Sequence, residues 1–123
     1  MSIESSTYIG FTNGARHHTQ NSTSTAWVIY TPTGQLLSSG GLCLRPSSNN
    51  VAKYSVVIKL LWDVISHGVL SLEVHLDSQL VVSQINDLYR IRDPTLFQIF
   101  LRVRLLERQF ESITYIHISR NFN

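Results

Sequence analysis

The sequence predicts an α/β domain built on a mixed β-sheet with helices on its faces. In the first part of the chain, short runs of β-branched and aromatic residues are separated by polar segments and turn signals, which is typical of an antiparallel meander. Beyond residue 48 the apolar residues recur at helical spacing, and strands then alternate with helices. The predicted order β-β-β-α-β-α-α-β indicates a five-stranded mixed sheet.

Three strands are predicted before the first helix. The first strand ends at Asn13-Gly14, and the polar residues 16–25 are predicted to form a loop. A Thr-Pro-Thr-Gly turn at 31–34 joins the second strand to the third, and the glycine pair at 40–41 predicts a β-bulge. The three predicted strands cover residues 8–12, 26–30 and 35–44.

The first helix is predicted over residues 49–67. Asn49 or Asn50 can cap its first turn, and Gly68 is positioned to end it. One wide apolar stripe at helical spacing predicts the buried face of this helix, and it consists of Tyr54, Val57, Ile58, Leu61, Val64 and Ile65.

The remaining elements alternate between strand and helix. An alternating strand over 72–76 leads into Asp77, and a short helix follows over 78–86. A longer helix is predicted over 95–110, and a final strand over 113–118 has apolar residues on both faces, which predicts burial on both sides.

Length and composition bound the class of protein. The chain has 123 residues, 43% hydrophobic and 15% charged, which is enough for one folded domain. The net charge of +2 is too small to indicate a nucleic-acid partner, and the arginines of the last third are interpreted mostly as solvated surface residues. The single cysteine, Cys43, excludes an internal disulfide and is expected to be buried. With no signal-peptide pattern and no apolar run of about 20 residues, we expect a soluble, intracellular protein without a membrane partner.

Five short motifs occur together in a characteristic order. They are Asn-Gly-Ala at 13–15, Ser-Asn-Asn-Val-Ala-Lys-Tyr at 48–54, Asp-Ser-Gln-Leu-Val-Val at 77–82, Tyr-Arg-Ile-Arg-Asp-Pro at 89–94 and His-Ile-Ser-Arg at 117–120. In order and spacing they resemble the ribonuclease H family, most closely the short form found in plant retroelement polyproteins and archaea. The resemblance runs from about Tyr8 to the last residue and implies a single ribonuclease H-like domain over residues 1–123.

The resemblance implies a fold and a chemistry. Members of this family cut the RNA strand of an RNA–DNA hybrid, using four carboxylates that hold two Mg²⁺ ions about 4 Å apart. One ion activates a water molecule and the other stabilises the leaving oxygen. Mg²⁺ prefers oxygen ligands, and the clustered carboxylates supply both the ligands and the negative charge.

The carboxylate positions of the family are mostly replaced in this chain. The first falls on Asn13, the second on Lys53 and the third on Asp77, which alone keeps its carboxylate. The fourth would lie beyond Asn123, so this position and the final helix that carries it are expected to be missing. The family site charge of −4 falls to about 0, so we expect Mg²⁺ to bind weakly, through Asp77, and two-metal catalysis to be lost.

The positions that touch the nucleic acid in the family are better kept. They fall on Asn49, Asn50, Ser78 and Gln79, whose amide and hydroxyl groups can donate to and accept from the 2′-hydroxyls of a minor groove. A structural alternative stays open for Asn49 and Ser78, because either residue could simply cap the helix that follows it.

The resemblance and the replaced carboxylates together define three functional hypotheses. The first is weak binding of RNA–DNA hybrid or duplex by a catalytically inactive domain. The second is an active nuclease whose missing carboxylates come from a partner chain. The third is a protein-interaction module or non-functional retroelement fragment that self-associates through a sheet face left uncovered.

Overall fold

The computed structural model describes residues 6–17, 22–44, 49–88 and 90–119, and it confirms the predicted order of elements. The strands are β1 (Tyr8–His17), β2 (Ser22–Tyr30), β3 (Leu36–Leu44), β4 (Ser71–Leu76) and β5 (Ser112–His117), and the helices are α1 (Asn49–Ser66), α2 (Gln79–Ile85) and α3 (Pro94–Glu107).

The strands form the predicted five-stranded mixed sheet, in the order β3-β2-β1-β4-β5. The pairs β1–β2 and β2–β3 are antiparallel, whereas β1–β4 and β4–β5 are parallel. In β4 the buried residues Leu72, Val74 and Leu76 alternate with half-buried ones. α1 and α2 pack on this buried face and α3 packs on α1, so within the described residues the opposite face carries no helix.

α1 packs closely on β1 because Gly10 has no side chain. A Cβ atom at Gly10 would lie 3.0 Å from a methyl carbon of Leu60, so this position brings the helix against the strand. Every member of the predicted stripe of α1 is buried or half-buried. The helix is followed by Gly68 at φ +73°, which confirms the predicted C-terminal glycine.

Polar contacts fix the position of α1 in the helix layer. The indole Nε1 of Trp27 donates to a carboxylate oxygen of Asp63 at 2.8 Å, and the Ser38 hydroxyl donates to the same oxygen at 2.6 Å. At the other end of the helix, the Tyr54 hydroxyl donates to Oε1 of Gln84 at 2.8 Å. Burial raises the pKa of Tyr54, so this hydroxyl stays a neutral donor.

The first hairpin is longer than the sequence predicted. β1 continues through Asn13-Gly14 to His17, and Asn13 pairs with Ala26 while His17 pairs with Ser22. The predicted strand end at 13–14 was therefore wrong, as was the loop over 16–25, of which residues 18–21 lie outside the described residues. An antiparallel ladder satisfies backbone groups whatever the polarity of the side chains, and the β-branched threonines of this arm favour strands.

The predicted bulge at the glycine pair was also wrong. Gly40 pairs regularly with Trp27, and the register of β2 with β3 shifts instead between Ile29 and Tyr30. Gly40 is required for another reason, because a Cβ atom there would lie only 2.3 Å from the indole ring of Trp27. The glycine makes room for the tryptophan that bonds Asp63.

β5 is an edge strand that is buried on one face only. Tyr115 is 8% exposed, whereas Thr114 and Ile116 on the other face are exposed, so the predicted burial on both sides was wrong. No described helix packs on that second face. α3 ends at Glu107, three residues earlier than predicted.

Two expectations from composition can be compared with the structure. Cys43 is exposed on β3, contrary to the expected burial, because the strand register places it on the sheet face that carries no described helix. Within the part of the chain that the structure describes, no helix is both long enough and apolar enough to span a membrane.

Candidate functional site

β1 and β4 form a topological switch point at their carboxyl ends. The two strands are parallel neighbours, yet the chain leaves β1 toward β2 on one side and leaves β4 toward α2 on the other. Their pairing ends at Phe11 and His75, although β1 continues for six more residues. In open α/β sheets, ligands bind in the crevice at such a switch point.

Asn13 and Asp77 lie level with each other at this switch point. The parallel register pairs Phe11 with His75, and two further residues along each strand bring Asn13 opposite Asp77. Because side chains alternate along a strand and Gly10 faces α1, Asn13 points away from α1. Asn13 is exposed and Asp77 is half-buried.

α1 brings Lys53 to the same end of the sheet. The helix runs antiparallel to β1, and Leu60 contacts Gly10. Lys53 precedes Leu60 by about 10 Å along the helix axis. About three strand residues span the same distance, and Asn13 lies three residues beyond Gly10, so Lys53 lies level with Asn13. Lys53 is half-buried in the helix layer and makes no ion pair with any described carboxylate. We call this end of the sheet, with Asn13 and Asp77 on the strands and Lys53 on the helix side at the same height, the switch-point cleft.

The donor set of the switch-point cleft does not fit Mg²⁺. An ammonium has no lone pair for a metal, an amide oxygen brings no charge, and Asp77 supplies one carboxylate. The formal charges of Asn13, Lys53 and Asp77 are 0, +1 and −1, which sum to 0. Within the described ranges, no group of three or more His, Cys, Asp or Glu residues is arranged to hold a metal ion.

The predicted nucleic-acid-binding residues border this cleft from two sides. Asn49 and Asn50 open α1 one turn before Lys53, and Asn50 is half-buried. Ser78 and Gln79 follow Asp77 directly at the start of α2. The structure thus places both pairs at the same end of the sheet as the cleft.

Ser78 and Gln79 have different surroundings. Ser78 is buried, and its hydroxyl oxygen accepts a hydrogen bond from the backbone N–H of Val81 at 3.2 Å, which confirms the capping alternative for this residue. Gln79 is exposed, and its Nε2 donates to the Ser83 hydroxyl at 3.1 Å. Gln79 and Asn50 therefore have side chains that solvent can reach.

A histidine–glutamate pair next to the cleft was missed from the sequence. Nε2 of His75 lies 2.7 Å from Oε2 of Glu73, and the imidazole ring packs on Phe11 at 4.7 Å between centroids. Glu73, His75 and Asp77 are spaced two residues apart and so share one face of the sheet. This spacing could have predicted from the sequence that the three side chains lie next to one another.

The arginines of the last third are not all solvated surface residues. Arg90 and Arg92 line a cavity of about 770 Å³ at the junction of α2 and α3, together with Phe97. Arg104 is half-buried and donates hydrogen bonds to the Glu107 carboxylate and to the Ile85 carbonyl. The prediction that most of these arginines are solvated agrees with the exposure of Arg90, Arg92, Arg102 and Arg108, and the half-buried Arg104 is an exception.

Comparison with known families decides the classification. The profile of a family described as reverse transcriptase-like matches residues 11–123 of this chain. The chain belongs to this family. The match and the mixed sheet with its three helices confirm the predicted ribonuclease H-like domain.

Individual relatives agree with this classification. The ribonuclease HI of Halobacterium salinarum is 28% identical over 111 residues, covering 90% of this chain and 56% of that protein. A bifunctional protein of Mycobacterium tuberculosis is 32% identical over 77 residues, covering 63% of this chain and 21% of that protein. The ribonuclease H-like chain therefore spans little more than half of the first relative and about a fifth of the second.

Solved structures share the fold along most of their length. The crystal structure of RNase H1 from Halobacterium salinarum has a TM-score of 0.85 at 26% identity, covering 93% of this chain and 86% of that one. LC11-RNase H1 in complex with an RNA/DNA hybrid has a TM-score of 0.84 at 26% identity, covering 94% and 88%. The ribonuclease H-like domain is thus related to RNA–DNA hybrid ribonucleases.

Proposed function

We propose that residues 1–123 form one ribonuclease H-like domain that binds RNA–DNA hybrid or duplex weakly and does not catalyse two-metal hydrolysis. The observation that carries this proposal is the switch-point cleft, which is bordered by groups suited to nucleic acid but has lost its metal-binding charge. One carboxylate, one amide and one ammonium cannot replace the three carboxylates that the family has at these three positions. Any residual metal binding would rest on Asp77.

The bordering side chains support binding to a sugar edge. The amides of Asn50 and Gln79 can each donate and accept, which matches the chemistry of a 2′-hydroxyl. Both side chains reach solvent at the same end of the sheet, one from α1 and one from α2. A structural neighbour with this fold is solved in complex with an RNA/DNA hybrid, which favours the same ligand class here.

The double variant Asn50→Ala/Gln79→Ala should bind a labelled RNA–DNA hybrid about tenfold more weakly than the native chain, because two neutral hydrogen bonds to the sugar edge are lost. Fluorescence anisotropy at fixed ionic strength measures this affinity, since salt changes every nucleic-acid affinity. Gln98→Ala is the matched control, because Gln98 is an exposed glutamine on α3. Equal affinities of the double variant and the control would contradict the proposed surface.

Self-association is a second candidate function, favoured by the sheet face that carries no described helix. Ile9, Phe11 and Tyr30 are half-buried on this face, and Ile116 is 39% exposed. Exposed apolar area of this kind favours contact with another protein surface. Sedimentation over a concentration series should show a monomer–dimer equilibrium that Ile116→Lys shifts to monomer, and a concentration-independent monomer would exclude it.

A further inference from the structure

We propose that the switch-point cleft binds a backbone phosphate of the hybrid directly, with Lys53 as the cationic group, and needs no divalent metal to do so. This inference rests on the proposed hybrid binding and specifies its chemistry. Nucleic-acid binding would then be insensitive to removal of Mg²⁺, the opposite of a site in which metal ions bridge the protein and the phosphate.

At both replaced positions, a side chain that only accepts hydrogen bonds has been replaced by one that can donate them. A carboxylate only accepts hydrogen bonds, so it suits a cation. Lys53 carries three N–H donors and Asn13 carries two, and donors of this kind suit the oxygens of a phosphate. The replacements therefore do more than remove metal ligands, because together they convert acceptors into donors at one end of the sheet.

The surroundings of Lys53 leave its ammonium available. It makes no ion pair with a described carboxylate, and the first turn of α1 contains no acidic residue. Its half-buried stem limits the movement of the ammonium and reduces screening by solvent. A phosphate at the carboxyl ends of β1 and β4 would meet this group level with Asn13.

Neutralising Asp77 should change the affinity for the hybrid in opposite directions in a metal-bridged site and in a metal-free site. In a metal-bridged site this carboxylate attracts the ion, so neutralising it weakens binding. In a site that holds phosphate without metal, the same carboxylate repels the ligand, so neutralising it strengthens binding. Asp77→Asn keeps the shape of the side chain and changes only its charge and hydrogen-bonding groups.

The experiment titrates a labelled RNA–DNA hybrid with the full chain in EDTA and then in Mg²⁺, over a series of salt concentrations. We expect equal affinity in both buffers. Lys53→Gln should weaken binding about tenfold at low salt and reduce the salt slope by about 1, because one phosphate contact is lost. Lys59→Gln is the matched control, since Lys59 is exposed on the same helix about two turns from Lys53. Asp77→Asn should tighten binding about fivefold in EDTA.

The outcomes separate this inference from the function on which it rests. Hybrid binding that requires Mg²⁺, that is weakened by Asp77→Asn, or that responds equally to Lys53→Gln and Lys59→Gln would overturn the inference and leave hybrid binding in place. Absence of hybrid binding in both buffers would overturn both. Circular dichroism and urea unfolding of each variant verify that the fold is kept.

Discussion

Arg104→Met should lower the free energy of unfolding by about 3 kcal/mol, because it leaves a largely buried carboxylate without its cation. Nη1 of Arg104 donates to both carboxylate oxygens of Glu107 at 2.9 Å, and the Glu107 side chain is only 15% exposed. Nη2 of Arg104 donates to the carbonyl of Ile85 and to Asp87 at 3.1 Å. The guanidinium thus connects α3 to the end of α2.

The same network reaches the sheet through Tyr115. Its hydroxyl donates to Oε2 of Glu107 at 2.7 Å, and burial together with the Glu107 charge raises the pKa of Tyr115, so the hydroxyl keeps its proton. Burial tends to lower the pKa of Arg104, but the hydrogen bond and charge of Glu107 outweigh it, and the pKa is raised. The charged guanidinium also lies 4.5 Å from the centre of the Phe100 ring.

Urea unfolding measures the loss, and two comparisons identify its cause. Arg108→Met should change the free energy of unfolding by less than about 0.5 kcal/mol, because Arg108 is exposed. Adding Glu107→Gln to Arg104→Met should recover part of the loss, since no uncompensated charge then remains buried. If Arg104→Met and Arg108→Met unfold at the same urea concentration, the network does not stabilise the fold.

The elements that the sequence predicted well are those with a strong periodic pattern. α1 was predicted within one residue at its C-terminal end, because its apolar stripe and Gly68 both mark it. β4 was predicted because Leu72, Val74 and Leu76 alternate with polar residues up to Asp77, and the structure buries these three side chains. Such patterns come from local geometry and burial together, so one sequence is enough to read them.

The errors occurred where tertiary contacts decide the structure. The polar arm of the β1–β2 hairpin has no apolar alternation, and its residues are paired as strands in the structure. The glycine pair at 40–41 resembles a bulge signal, but Gly40 is needed to accommodate Trp27, which is far away in the sequence. The one-sided burial of β5 depends on where the helices pack, and that position is not encoded in the strand itself.

The candidate site could be predicted only through family resemblance. Asn13, Lys53 and Asp77 are far apart in the sequence, and no periodic pattern relates them. In the structure they lie at the same end of the sheet, because β1 and β4 are parallel neighbours and α1 follows β3 back across the sheet. The arginine network was missed because a sequence shows charge without showing which carboxylate it will meet.

Asn13→Asp/Lys53→Glu should give the cleft a Mg²⁺ affinity that the native chain does not have. The site charge changes from 0 to −3, since the first substitution adds one negative charge and the second removes a positive and adds a negative one. At about 4 Å, each unit of charge contributes about 2 kcal/mol with a divalent ion even at the dielectric constant of water. The three units together correspond to roughly four orders of magnitude in Kd.

Two readouts test this expectation. Calorimetric titration with Mg²⁺ should give no heat of binding for the native chain and clear binding for the double variant. Thermal unfolding should show the double variant destabilised without metal, because three carboxylates repel one another, and restabilised as Mg²⁺ is added. Hybrid cleavage in Mg²⁺ should also rise in the variant.

The matched control for the charge change is Asn13→Asp/Lys59→Glu, which has the same net charge but places the glutamate on an exposed turn of α1 away from the cleft. It should bind Mg²⁺ much more weakly than Asn13→Asp/Lys53→Glu. If neither variant gains Mg²⁺ binding, Asn13 and Lys53 are not at the metal-ligand positions of the family. If the native chain already binds Mg²⁺ tightly, other ligands complete the site. The proposal that two-metal catalysis is lost would then be wrong, because it rests on the donor set of Asn13, Lys53 and Asp77.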